Sequence, residues 1–259
     1  MKEKTSMSSI KRAFAAPTVL VPFVTCGDPD LETTKEVVKA LAKNGAGIVE
    51  LGIPFSDPTG EGPLGQEANV RALANGTTTN KIFEMVSELR KEVRIPMVFK
   101  TYANVVFGYG TEAFLKKCQE IGIDGLALLD VPYEEREEFS QLCHQYGIDF
   151  IFTVAPTSGK RISFIAKEAE GYLYCIGALG PVSSDALKAN VTKMVQLAKE
   201  ANPNLPCIVG LGEVTAELIN ELKGLCDGFA IAEDIVRITA RDGKNAPQAA
   251  AEYMRGLKA

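Results

Sequence analysis

The sequence predicts an α/β fold, a single (β/α)8 barrel, on three observations. Eight short apolar runs rich in β-branched residues recur along the 259 residues. Amphipathic segments of helical period separate them, which is the pattern of parallel strands joined by helical crossovers. Acidic and other polar residues collect where the apolar runs end, and in such a barrel the chemistry sits at the C-terminal ends of the strands.

Taken in order, the strands are expected at 18–24, 47–51, 96–101, 125–129, 149–153, 172–176, 207–209 and 228–231. Between them, LETTKEVVKALAKNG, TTNKIFEMVSELRKEV, TEAFLKKCQEIG, PYEEREEFSQLCHQYG and TAELINELKGLC carry apolar residues at helical spacing, and several end in the glycine that a helix C-terminus prefers. Eight strands match a closed barrel, whereas a doubly wound sheet closes with fewer. No linker or change of composition divides the chain, so residues 1–259 are read as one domain.

Hydrophobic residues make up 46% of the chain, enough for one sizeable core, and the formal net charge is −5. No stretch supplies the clustered positive face that nucleic acid requires. No apolar run approaches the roughly 18 residues of a membrane span, and the opening MKEKTSMSSIKRAF lacks the apolar stretch of a secretory leader. A cytoplasmic protein acting on a small molecule is expected, with neither nucleic acid nor membrane as partner. The cysteines, Cys26, Cys118, Cys143, Cys175, Cys207 and Cys226, form no C-x-x-C pair, and His144 is the one histidine, so neither zinc nor a Ser-His-Asp mechanism has the residues it needs. They read as reduced, buried filler, and His144 as structural or surface.

The strand ends supply the candidates. Phe23, Thr25 and Cys26 follow the first strand, Glu50 the second, and Lys100 and Tyr102 the third. Asp130, Thr153, the turn Gly177-Ala178-Leu179-Gly180, Gly210-Leu211-Gly212 and Ala232-Glu233-Asp234 come after the remaining ones. Leu129, Tyr174 and Ile176 complete the expected substrate-binding set of Phe23, Tyr102, Thr153, Gly180, Leu211, Gly212, Ala232 and Glu233. Glu50 closes a nearly all-apolar strand, where a carboxylate needs a partner or a raised pKa, and this makes it an acid–base candidate. Asp57, in Phe55-Ser56-Asp57-Pro58, reads as turn chemistry. Glu61, between Gly60 and Gly62, lies on a mobile loop where it can face Glu50 or solvent.

The segments VPFVTCGDPDLETT, GAGIVELGIPFSDP, EGPLGQEANVRAL, TYANVVFGYGTEAFLKKC, IGIDGLALLDVPYEE and GLGEVTAELINELK together resemble the tryptophan synthase alpha subunit family, in that family's order and across nearly the whole chain. The resemblance implies a (β/α)8 barrel that cleaves indole-3-glycerol phosphate to indole and glyceraldehyde 3-phosphate without metal or organic cofactor, and a beta subunit as partner. It makes Glu50 the acid that shuttles a proton at the indole carbon. Glu61 becomes the base for the glycerol hydroxyl, at a position where most members carry aspartate.

Departures from the family pattern gather at the same mouth. Gly210-Leu211-Gly212 fits half of the family's phosphate cradle, but Ala232-Glu233-Asp234 stands where a Gly-Ser pair opens the last barrel helix. Two carboxylates there are expected to oppose a phosphate by about 1–4 kcal/mol. Gly180-Pro181-Val182-Ser183 replaces a G-V-T-G loop, Thr59-Gly60 replaces an aliphatic residue and alanine, and Lys100 and Thr153 replace apolar lining. A rewritten mouth on an intact scaffold reads as changed function, by natural divergence or redesign. Three readings follow: the family lyase; a repurposed barrel with Lys100 as Schiff-base amine or as a cation for a substrate without phosphate; or a catalytically inactive binding or partner-activating module. The sequence leaves the protonation of Lys100 open, since burial lowers an amine's pKa and neighbouring acids raise it.

Overall fold

The computed structural model describes residues 8–257. Its strands are β1 (Val19–Thr25), β2 (Val49–Gly52), β3 (Met97–Thr101), β4 (Gly125–Leu128), β5 (Asp149–Val154), β6 (Leu173–Ile176), β7 (Cys207–Leu211) and β8 (Gly228–Ile231). Each pairs in parallel with the next, and β8 returns to β1, closing the barrel. All eight expected strands are present, β8 with the expected bounds and the others with one or both ends shifted by one or two residues. Pro96 lacks the N–H that a ladder needs, so β3 begins at Met97. Gly47 and Ile48 precede the β2 ladder, and β7 runs two residues further than expected because Gly210 and Leu211 pair with Ala230 and Ile231.

Side chains alternate between the two faces of a strand, so every second residue points into the barrel. One inward layer is Val21, Ile48, Val98, Ala127, Ile151, Tyr172, Ile208 and Ala230, packed with Val19 and with Ile10 from a short helix, Ser9–Ala13, that plugs the N-terminal end. The outward residues pack against the surrounding helices as the main core. That core includes Val37, Val38 and Leu41 of the helix Leu31–Lys43, and Ile82, Phe83, Val86 and Leu89 of the helix Thr79–Glu92. Asp30 and Thr78 cap these two helices by accepting from the Thr33 and Lys81 amides.

Two residues beyond each member of the inward layer lies the next one: Phe23, Glu50, Lys100, Leu129, Thr153, Tyr174, Gly210 and Ala232. This second layer is the floor of the C-terminal mouth. Gly210 has no side chain for a reason, since a Cβ there would collide with the Tyr174 ring.

Candidate functional site

A cavity of about 320 Å³ opens above this layer. Phe23, Lys100, Leu129, Thr153, Tyr174 and Ile176 line it from the strands and their ends, Gly60 to Gly62 from the loop after β2, Pro63 to Gly65 from the first turn of the helix Pro63–Ala74, and Ala232, Glu233 and Val236 from the end of β8 and the helix that follows. A second chamber of about 540 Å³ adjoins it, sharing Gly60, Tyr174, Ile176, Ala232 and Glu233 and adding Gly180, Leu211, Gly212 and Glu213. Most walls are apolar, so the few charged groups stand out.

Glu50 is 1% exposed, and both carboxylate oxygens are occupied. Tyr172 Oη donates to Oε1 at 2.6 Å and Lys100 Nζ donates to Oε2 at 3.0 Å. Glu50 therefore sits beneath Lys100 and is not among the residues lining the cavity, contrary to the expectation that it opens onto the mouth. The Lys100 side chain is 13% exposed, and its ammonium lies 4.3 Å from the centre of the Tyr174 ring and 5.4 Å from that of Phe23. Burial pulls the Lys100 pKa down, but Glu50, Tyr174 and Glu61 outweigh it, and the net shift is upward. The balance left open by the sequence thus falls to the ammonium, which argues against a free amine for imine formation near neutral pH.

Glu61 comes over the cavity from the loop. Asn69 Nδ2, on the helix Pro63–Ala74, donates to both its oxygens at 3.3 and 3.2 Å, and Asn69 Oδ1 accepts from the Phe55 amide. A Cβ on Gly65 would strike the Glu61 carboxylate, so the glycine makes room for the acid. Burial raises the Glu61 pKa, opposed by the Asn69 hydrogen bonds and by Lys100. A carboxyl lifted in this way is suited to exchanging protons nearer to neutral pH.

Against known proteins, the model of the tryptophan synthase alpha chain family matches residues 11–258. The chain belongs to the tryptophan synthase alpha chain family. The Lacticaseibacillus casei tryptophan synthase alpha chain is 41% identical over 257 residues, covering 97% of this chain and 95% of that one. The Alkaliphilus metalliredigens alpha chain is 45% identical over 218 residues, 84% of this chain and 82% of that one. Among solved structures, the alpha subunit of Legionella pneumophila superposes with a TM-score of 0.89 at 32% identity, over 98% of both chains. A Pyrococcus furiosus chain solved in a tryptophan synthase complex gives 0.85 at 29%, over 93% of this chain and 97% of that one.

Within this alpha-chain frame, several expected site residues sit differently from the sequence reading. Tyr102 does not line the cavity: it is buried, its hydroxyl accepts from the Gly60 amide at 3.0 Å, and its ring packs on Phe55. It anchors the Glu61 loop, and burial together with Glu61 pushes its pKa up to about 12. Asp234 does not face a phosphate cradle. It accepts from the Val214 amide and from Tyr253 Oη, both at 2.9 Å, and pairs with Arg237 at 3.1 Å, which ties the last barrel helix, Glu233–Asp242, to the β7 loop. Glu233 alone of the two lines both chambers, with its side chain 52% exposed and Arg237 3.9 Å away. Gly180, Leu211 and Gly212 lie in the outer chamber rather than the inner one.

Asp57 forms a turn, accepting from the Ser56 hydroxyl. His144 is exposed beside Glu170, and all six cysteines are buried and free. Among the described residues, no group of three or more His, Cys, Asp or Glu could hold a metal ion, and no helix is long and apolar enough to cross a membrane. Sequence reasoning missed Tyr172, Asn69, Leu64 and Val236. Nothing in the sequence separates Tyr172 and Val236 from ordinary core positions, and Asn69 is hidden because its partner is fixed only by the loop's fold.

Proposed function

We propose that the protein is a carbon–carbon lyase of the tryptophan synthase alpha type, cleaving indole-3-glycerol phosphate to indole and glyceraldehyde 3-phosphate. The observation that carries this reading is the convergence of Glu61 and the Glu50–Lys100 pair on one apolar cavity at the C-terminal end of the barrel. An aromatic ring enters between Phe23, Leu129, Tyr174 and Ile176, whose apolar faces exclude water. The Glu61 carboxylate takes the proton of the substrate hydroxyl, the C–O bond becomes a carbonyl, and the carbon–carbon bond breaks. A proton from the Glu50–Lys100 side reaches the ring carbon. Acid–base assistance of this kind contributes about 10²–10⁴ in rate.

Glu233 opposes a phosphate at the outer end, so substrate binding is expected to be weak rather than absent. A beta subunit is the proposed partner. The Pyrococcus furiosus relatives include one described by mutual activation of a tryptophan synthase α2β2 complex, and Leu179 and Val182 stand exposed beside the mouth of this chain. Six free cysteines fit the cytoplasm as the setting.

The test is release of indole from indole-3-glycerol phosphate, with and without a beta subunit and at substrate concentrations high enough to offset Glu233. Release that collapses in Glu61→Ala supports the lyase. No release under either condition returns the chain to the reading of a partner-activating module.

A further inference from the structure

Depth decides which group meets the substrate at the inner end of the cavity. Glu50 lies below, with one oxygen held by Tyr172 and the other by Lys100, whereas Lys100 lines the cavity itself. To touch a ligand directly, Glu50 would have to displace a paired ammonium from a nearly dry site, and breaking a buried ion pair is costly. The ammonium has three N–H donors. Glu50 takes one of them, and the faces of Tyr174 and Phe23 flank the rest.

We infer, on the lyase reading given above, that Lys100 is the catalytic acid that touches the substrate and that Glu50 is a positioning residue acting through it. In the step, a Lys100 N–H bond breaks and its proton forms a C–H bond at the ring carbon, leaving a neutral amine. Glu61 takes the hydroxyl proton, and the electrons of the broken carbon–carbon bond pass to the ring. Solvent then removes the proton from Glu61 and returns one to Lys100, so both groups end as they began. The Glu50 carboxylate, fixed by Tyr172 Oη, holds the ammonium in place.

The groups around the ammonium set its pH range. Glu50 faces it from β2, Tyr174 from β6 and Glu61 from the loop, with Tyr102 beyond. The pair Tyr174 and Glu50 acts in the same direction as Glu61, upward, against burial. The working acid is therefore expected to stay protonated through neutral pH and to fail only on the alkaline side.

The experiment follows deuterium exchange at carbon 3 of indole by NMR, a partial reaction in which the acid adds a deuteron, its conjugate base removes the proton and no carbon–carbon bond breaks, alongside indole release from indole-3-glycerol phosphate, from pH 6 to 10. Lys100→Met is expected to lower exchange by at least 100-fold. Lys100→Arg should do the same, since a guanidinium keeps the charge but does not release a proton, and this variant decides the matter if the methionine protein does not fold. Glu50→Gln should lose less exchange than Lys100→Met near neutral pH and should bring into the measured range an alkaline limb that the wild type does not show there. The inference is overturned by Lys100→Met or Lys100→Arg exchanging at the wild-type rate or faster, by Glu50→Gln losing exchange at every pH, or by absence of exchange in the wild type. Exchange that depends on Lys100 without indole release keeps the inference and sinks the lyase reading. Release indifferent to Lys100 does the reverse.

Discussion

Glu50 and Glu233 are both carboxylates at the C-terminal end of the barrel, yet one is bonded through both oxygens within the strands and the other stands half exposed on a helix, with Arg237 at 3.9 Å. The first is held by Lys100 from the adjacent β3 and by Tyr172 from the foot of β6 across the barrel, so altering it disturbs the barrel as well as the chemistry. The second is held by almost nothing, so it tunes what enters the mouth at little structural cost. Asp234, the residue after Glu233, makes the same point in reverse: with three partners, it is committed to holding the helix and has no freedom to meet a ligand. The inner end of the cavity is thus fixed by its hydrogen bonds and the outer end is adjustable.

The largest effect that bears on this contrast is expected at Glu61→Ala. Indole release should fall by about 10²–10⁴ with the melting temperature nearly unchanged, because Glu61 is on a loop and Asn69 is its hydrogen-bond partner. Turnover within a few-fold of wild type would remove Glu61 from the mechanism. Glu50→Ala strands a buried ammonium and should cost about 3–5 kcal/mol in a denaturant titration, and the double variant Glu50→Gln/Lys100→Met should recover most of it. If the single variant costs no more than Glu233→Ala, the inner end is not the rigid one.

The third prediction concerns pH. Burial raises the folded-state pKa of Glu61, so its contribution to stability is fully present below the ordinary carboxylate pKa and is lost as pH rises through the raised value. A base must be ionised, so the acid limb of the rate profile should lie above the usual carboxylate range. Asn69→Ala, which removes a donor to both oxygens, should move that limb further up. A limb that stays in place would show that another group controls it. The smallest effect is at the mouth, where Glu233→Ser combined with Ala232→Gly should tighten inorganic phosphate binding by up to about tenfold in calorimetry, with stability unchanged. A wild-type protein that already binds phosphate tightly at that helix would contradict the picture of an acidic mouth.

The fold was legible because its signal is repetitive. Eight alternations of strand and helix fix a closed barrel even where single boundaries slip, as at Pro96 and Gly210. The inner layer was also within reach, since adding two to Val21, Ile48, Val98, Ala127, Ile151, Tyr172, Ile208 and Ala230 gives the floor of the mouth. Depth within that floor was not legible. Whether Glu50 or Lys100 faces the cavity depends on side-chain length and on a partner, Tyr172, that is 122 residues away from Glu50 in sequence. The fates of Tyr102, drawn to the Gly60 amide, and of Asp234, drawn to the Val214 amide, depended likewise on backbone donors of loops that have no periodicity to read.

The short helix at the other end of the barrel bears on the site as well. Ile10 is fully enclosed, and the Phe14 ring lies 6.1 Å from that of Tyr172, whose hydroxyl holds Glu50. This segment works as a stopper: pulled out, it would uncover the lower face of the packed inward layer and free one side of the Tyr172 ring, loosening the hydroxyl that holds the carboxylate against the ammonium. The acidity of a group at the top of the barrel is then in part a property of how well its bottom is corked.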